Sequence, residues 1–331
     1  MVVGPGRAAL LVDGLLEDLL IDPAPGDQVP PLEEVFAARV ERVAGKLGGA
    51  FVALAPGLNG FLRGARGVRE GAVLPVQVTG FAEPGKAVPV TDRLLFKERT
   101  VILTPGAAGV NLSRALRDDA RPRLEAEVPA LAAALPEGAG LILRTAAAEA
   151  AAAALHADLA AAAARHARTL ATETGAAGVA PGAAARARRD WEGTLEDAPD
   201  AWEALGLPDL IDALARPEAP LDAGAWLTVE ATRALIAVDV NTGPDLSPAA
   251  ALKANIAAMR EIPRQLRLRG LGGAVTVDLA PLAKRDRKQI ETVLKAALRR
   301  DLVETTVAGW TPLGHLELTR RRERRPLGEL T

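Results

Sequence analysis

Three residues offer chemistry by type and position: Asp239, Asn241 and Asp278. In ALIAVDVNTG, Asp239 stands near the end of an apolar run. Asn241 follows two residues on, so strand geometry puts both on one face. In GGAVTVDLAP, Asp278 again closes an apolar run. Ligands of α/β folds collect at the carboxyl ends of strands. Carboxylates gathered there repel one another and are costly to bury unpaired. A hard divalent cation relieves both penalties, and magnesium binds through one or two carboxylates with water and phosphate completing its shell. A second reading stays open, because Asp-x-Asn-Thr-Gly is also good turn chemistry and an aspartate before a loop often caps a turn or helix. Between the acids, REIPRQLRLRGLGG supplies Arg264, Arg267 and Arg269. Guanidinium forks match phosphate, which makes Arg267 and Arg269 candidate RNA contacts; a solvated helix end is the alternative.

The elements that must position these residues follow from periodicity. Residues 221–331 read as strands AWLTVEA, ALIAVDV, AVTVDLA and GHLELTR alternating with helices AALKANIAAMREI and RDRKQIETVLKAALRR, an α/β unit. Residues 33–98 contain VFAARVERV, GAFVALA, NGFLRG and VLPVQVTGF, short strands with frequent turns, as in a small barrel. Asp13-Gly14 predicts a hairpin, followed by the Pro-rich turn DPAPGDQVPP. Residues 99–220 are mixed α/β, with strands TVILTP and GLILRTA, an Ala-rich helical tract and a flexible break at GAAGVAPGAAA, residues 175–185. Phe51 and Phe61 lie in the barrel zone. An exposed aromatic there stacks a base, worth about 1–3 kcal/mol; core packing is the other reading. Arg39, Arg42 and Lys46 can track phosphates or form an ordinary solvated face. Arg144 and Thr145 end a strand, where an arginine with hydroxyl and amide donors can cradle a terminal phosphate.

Composition narrows the classes. The chain has 331 residues, 49% hydrophobic and 25% charged, and a net charge of −2, so any nucleic-acid contact must come from local basic patches. Without cysteine there is neither a disulfide framework nor a thiolate zinc site, in keeping with a cytoplasmic protein. The N-terminal apolar stretch is broken by acids and reads as no signal peptide. The charges within residues 146–167 argue against a membrane span. His156, His166 and His315 lack metal-ligand spacing and are expected in surface or capping roles.

EATRALIAVDVNTG, then KANIAAMREIPRQLRLRGLGGAVTVDLA, then GHLELTRRRERRPL resemble the catalytic half of the ribonuclease E/G family over about a hundred residues. The resemblance implies a mixed α/β fold. Residues 1–32 and 99–220 would form an RNase H-like domain with a 5′-phosphate pocket, interrupted by an S1-like OB barrel at 33–98. A DNase I-like α/β catalytic subdomain would occupy 221–331. It implies an endoribonuclease of single-stranded RNA in which Asp239 and Asp278 hold Mg2+ (Mn2+ being the alternative). Asn241 would orient the scissile phosphate or the attacking water, and hydrolysis would leave a 5′-phosphate and a 3′-hydroxyl. Phe51 and Phe61 match the family's stacking aromatics, Lys86 a basic position, and Arg144 and Thr145 its 5′-monophosphate sensor. Leu54 stands where relatives often carry a further aromatic.

The pattern also departs from the family. Pro281 replaces a second acid, Glu304 a basic residue and Arg233 a glutamate. The Cys-Pro-x-Cys motif is missing, so zinc and the zinc-linked tetramer are not expected, while monomer and dimer stay open. A short, divergent member without the long tail is expected, and an RNA-binding paralogue with little or no cleavage is the alternative function.

Overall fold

Asp13 and Gly14 both take positive φ, 50° and 80°, the conformation that a two-residue hairpin turn of the I′ kind demands. Around it, β1 (Val2–Gly4), β2 (Arg7–Val12) and β3 (Leu15–Ile21) form an antiparallel sheet in the order β1-β2-β3. The computed structural model describes residues 1–24, 26–65 and 67–330. Pro25, within the Pro-rich turn expected after the hairpin, lies outside the described residues.

The barrel forms as expected. Strands β4 (Val35–Ala44), β5 (Gly49–Ala55), β6 (Leu58–Arg63), β7 (Val73–Val78) and β8 (Val88–Thr91) pair in the order β4-β5-β6-β8-β7, and β7 returns to β4 to close the ring. Alternation along the strands sends Ala38, Val40, Ala50, Val52, Leu54, Leu62, Val76 and Val90 inward as one core.

A second sheet, β9 (Phe96–Lys97), β10 (Val101–Pro105), β11 (Gly109–Leu112) and β12 (Ala139–Leu143), has the order β11-β12-β10-β9. Helices α1 (Arg121–Ala133) and α2 (Ala152–Leu170) pack Leu124, Leu131, Leu155 and Leu159 against its Val101, Leu103, Leu141 and Leu143. The expected flexible break at 175–185 is instead tied down. Its β13 (Gly175–Ala176) pairs with β4, and the Glu34 carboxylate accepts from the amides of Val179 and Ala180. Helix α3 (Ala183–Asp190) follows.

Short helices α4 (Ala201–Ala204) and α5 (Leu207–Ala213) lead into a six-stranded sheet. Its strands are β14 (Glu218–Pro220), β15 (Trp226–Ala231), β16 (Ile236–Asn241), β17 (Gly273–Asp278), β18 (Thr305–Trp310) and β19 (Leu316–Arg320), in the order β14-β15-β16-β17-β19-β18. Only β16 and β17 run parallel, joined by α6 (Pro248–Leu268) as a crossover; α7 (Arg287–Leu298) links β17 to β18. Ser247 caps α6 by accepting from the Ala250 amide, with Pro248 in the first turn. Alanines 254 and 258 with Met259, Ile262 and Leu266 lie against Leu227, Val238, Val240, Val275 and Val277. One face of the sheet is thus covered, and its small helix residues allow close approach.

The fold divides into two compact units, Gly26–Glu192 and Met1–Pro25 with Gly193–Thr331. The division runs differently from the grouping of 1–32 with 99–220. The apolar side of the N-terminal sheet, Val2, Ala9, Leu16 and Leu19, finds its cover on Trp202, Leu207, Leu268 and Leu327.

Candidate active site

Along β16, Ile236, Val238 and Val240 face the core, which turns Asp239 and Asn241 to the opposite face. Along β17, Val275 and Val277 face the core and Asp278 turns outward in the same way. The parallel register sets Asp239 directly beside Asp278, one strand spacing apart at about 4.8 Å between backbones. Both are exposed. Like charges side by side in a sheet are unfavourable, and among the described residues no lysine or arginine forms an ion pair with either. Asn241 donates its amide to the Asp239 carboxylate at 2.9 Å, which leaves its carbonyl oxygen available. Gly243, at φ 75°, turns the chain immediately afterwards. A Cβ there would collide with the Gly224 carbonyl, so only glycine fits. Behind the pair, fully buried Asn255 of α6 donates to the Ala280 carbonyl at 2.9 Å and fixes the loop that follows Asp278.

Among the described residues no group of three or more His, Asp or Glu side chains is placed to hold a metal ion. The protein's offer at this point is two carboxylates and an amide, all hard oxygen donors. Magnesium fits such a set, since it keeps several waters and takes few protein ligands.

The surroundings hold groups that spacing alone missed. His315 places Nε2 3.6 Å from Asp278 Oδ1. Its surface assignment holds only in that it is half-exposed, because the pairing of β17 with β19 carries it to the acids. Lys284 and Arg285 are exposed on the loop after β17. Trp226 lies on the outward face of β15, opposite Asn241. For Trp226 the signal was the alternation of buried and exposed positions along β15, not a motif.

Two arginines, Arg267 and Arg269, require correction. Arg267 is buried. Its guanidinium donates to the Glu17 carbonyl and carboxylate and to Asp301 at 2.9 Å, with Asp18 beside it. Burial opposes its charge, but Asp18 and Asp301 hold the guanidinium pKa above its usual value. Arg269 is buried too, donating to Gln265 and to the carbonyls of Leu214 and Arg216. Arg264 donates to the Leu16 carbonyl and pairs with Glu261. With their guanidinium groups buried on internal acceptors, Arg267 and Arg269 are not exposed RNA contacts.

In the other unit, Arg144 donates to the Glu98 carbonyl at 2.6 Å and to Asp190 at 3.1 Å, while Thr145 is exposed at the start of a 3-10 turn. Asp190 thus stands where a terminal phosphate would have to compete. Burial works against Asp190's charge, yet hydrogen bonding and charge from Arg189, then Arg144, hold its carboxyl below the usual range. His166 is buried against Phe96 with ring centroids 5.6 Å apart, and burial lowers its pKa, so it is a core residue and not a surface one.

On the barrel, Phe51 and Phe61 are cross-strand partners with ring centroids 5.1 Å apart at 62°. Both point outward, since Val52 and Leu62 occupy the interior. The Arg42 guanidinium lies 4.7 Å over the Phe51 ring, and Gly49 has no Cβ to collide with the ring of Phe61. Together they make a strip of stacking surfaces with a cation at its edge. Leu54 lies inside the barrel, so a missing aromatic there takes nothing from the exposed strip. Lys86 is exposed and pairs with Glu83 at 2.7 Å. Glu304 pairs with Arg321 at 2.8 Å, which offsets the repulsion it would otherwise present to an anion. Arg233 and Pro281 are exposed.

A chain combining an aromatic strip on a closed barrel with a bare acid pair on an α/β sheet matches a known family. The sequence profile of the Ribonuclease E/G family covers residues 96–183 and 183–323, well over half of the chain, and the protein belongs to that family. It is 38% identical to ribonuclease G of Salmonella typhimurium over 109 residues, 31% of this chain and 22% of that one. It is 38% identical to ribonuclease E of a Nostoc species over 120 residues, 35% of this chain and 18% of that one. Against ribonuclease E of Escherichia coli K12 the identity is 28% over 393 residues, 98% of this chain and 36% of the relative. The chain therefore spans about a third or less of the length of these curated relatives. Among the described residues no helix is long and apolar enough to cross a membrane.

Proposed function

We propose that this protein is an endoribonuclease that hydrolyses phosphodiester bonds of single-stranded RNA with Mg2+ or Mn2+, leaving a 5′-phosphate and a 3′-hydroxyl. One observation carries the reading: the register of β16 and β17 sets Asp239 beside Asp278 on an open face, with no lysine or arginine paired to either among the described residues. Family membership supports it. So does the location, at the carboxyl ends of the two parallel strands.

Asp239 and Asp278 would hold the cation, which when bound polarises the phosphate and lowers the pKa of a water. Asn241 steadies the Asp239 carboxylate through its amide and presents its carbonyl oxygen to the attacking water. Lys284 and Arg285 on the following loop supply positive charge for flanking phosphates. In the other unit, the strip of Arg42, Phe51 and Phe61 stacks unpaired bases, and Lys86 adds a backbone contact. Arg144 with Thr145 would receive a 5′-monophosphate in exchange for the Asp190 carboxylate. Family membership further supports reading residues 221–331 as a DNase I-like catalytic subdomain. It likewise supports an RNase H-like domain of 1–32 and 99–220 around an S1-like barrel, and a cytoplasmic enzyme of RNA processing or decay.

A second reading, an RNA-binding paralogue with little cleavage, is favoured by the lack of a third acid at the pair among the described residues. Cleavage of a 5′-monophosphorylated single-stranded oligonucleotide separates the two. Asp239→Asn and Asp278→Asn are each expected to slow magnesium-dependent cutting by about a thousandfold or more, the equivalent of several kcal/mol of charge stabilisation. Wild-type protein that binds the oligonucleotide without cutting it supports the paralogue. Cutting at the wild-type rate by the double variant removes these acids from the mechanism.

A further inference from the structure

The four tryptophans have different surroundings. Trp191 and Trp202 are buried. Trp310 donates its indole N–H to Glu291 and carries the Arg287 guanidinium 4.6 Å over its ring. Trp226 is the most exposed of the four, at 37%. It begins β15, where Leu227 and Val229 fill the core and Trp226 and Thr228 take the outward positions. Antiparallel pairing sets Trp226 directly opposite Asn241 and Thr228 directly opposite Asp239. On its other side it faces Pro220 of β14. Residues diagonal across two strands lie about 7–8 Å apart, within reach of an aromatic side chain; for Trp226 that diagonal neighbour is Asp239. An indole thus stands on a polar face, beside the carboxylate proposed to act on the phosphate.

We infer that Trp226 is a specificity-determining residue of this site: it stacks the unpaired base of the nucleotide adjoining the scissile phosphate and so sets the register of the strand over Asp239 and Asp278. The inference rests on the reading of the acid pair as the place where RNA is cut. An indole offers a π-face to any base, so it selects for strandedness more than for base identity. A base stacked in a duplex presents no free face, and Trp226 thereby disfavours paired substrates at the cut. The neighbouring Pro220 borders the shelf and closes off one direction of approach.

The test uses the whole chain in EDTA with a 2′-O-methylated single-stranded RNA of about ten nucleotides, a length within the usual site size. Indole fluorescence is followed during titration. Binding is expected to quench the wild type, and Trp226→Phe is expected to lose that quench while still binding, as measured by the anisotropy of a labelled RNA. Trp226→Ala is expected to weaken binding by about 5- to 150-fold, the range of one lost stacking contact, and to narrow the preference for single strands over duplex. The Phe variant guards against a folding defect in the Ala variant, since it keeps a ring on the strand. An unchanged quench in Trp226→Phe overturns the inference, as does binding by Trp226→Ala within twofold of wild type. Absence of RNA binding by the wild type overturns the inference, while the acid-pair reading, whose cation EDTA removes, stands or falls with the cleavage assay. The two fail separately in the other cases too. Quenching at Trp226 without cleavage sinks only the catalytic reading, and cleavage indifferent to Trp226 sinks only this one.

Discussion

Asp301 and Asp278 stand at opposite ends of the same sheet. The Asp301 side chain is fully buried and accepts from Arg267 at 2.9 Å and from Arg320 at 2.6 Å. Arg320 pairs in register with Gly273, the first residue of β17. Asp278 is the last residue of that strand, is 64% exposed at its side chain, and has another aspartate as its parallel neighbour. At one end of β17 a carboxylate is answered by two guanidinium groups of this chain. At the other end two like charges lie side by side. Charge neutralised internally is architecture; charge left in excess on an exposed face is an invitation to a counter-ion. The same contrast separates Arg267, which the fold consumes, from Lys284 and Arg285, which it leaves exposed.

That contrast can be broken by measuring both ends in the same units. Asp301→Ala removes the carboxylate that the buried guanidinium groups of Arg267 and Arg320 share and should cost about 3–5 kcal/mol in a denaturant melt. Asp278→Asn, measured alongside, should change stability by no more than about 0.5 kcal/mol, or raise it slightly by removing a like-charge neighbour. Comparable losses in the two variants would erase the distinction between a structural and a functional acid.

A smaller and pH-dependent effect is expected at Asp190, which sits between Arg144 and Arg189. Its pKa lies below the ordinary 3.8 in the folded state, despite burial, because of Arg189 first and Arg144 second. A lowered folded-state pKa gives stability that is present above that ordinary value and disappears as pH falls through the folded one. Asp190→Asn should therefore lose about 1–3 kcal/mol near neutral pH, and the gap to wild type should close in strong acid. A gap independent of pH would mean that the Asp190 charge contributes nothing.

Much of this arrangement is legible in the sequence, in uneven ways. The alternation of Ile236, Val238 and Val240 fixes which way Asp239 points, and the strand–helix–strand order makes β16 and β17 parallel neighbours. The same alternation marks Leu54 as interior and Trp226 as exterior. Arg267 and Arg269 are different. Their helix end is readable, but their partners Glu17, Asp18, Leu214 and Arg216 come from remote segments that only tertiary packing brings near. His315 shows the same effect in the functional region, since its partner Asp278 lies on another strand and no local spacing announces the pair. The break expected at residues 175–185 is invisible as structure in its glycines and alanines, because the group that orders it is the distant Glu34 carboxylate.

Binding of Mn2+ to the whole chain, read by electron paramagnetic resonance with and without the Asp239→Asn/Asp278→Asn double substitution, tests the central claim most directly. The account predicts a site in the wild type that Mg2+ displaces and that the double variant lacks while melting like the wild type. Equal Mn2+ binding by the two proteins, or none by the wild type, would contradict it.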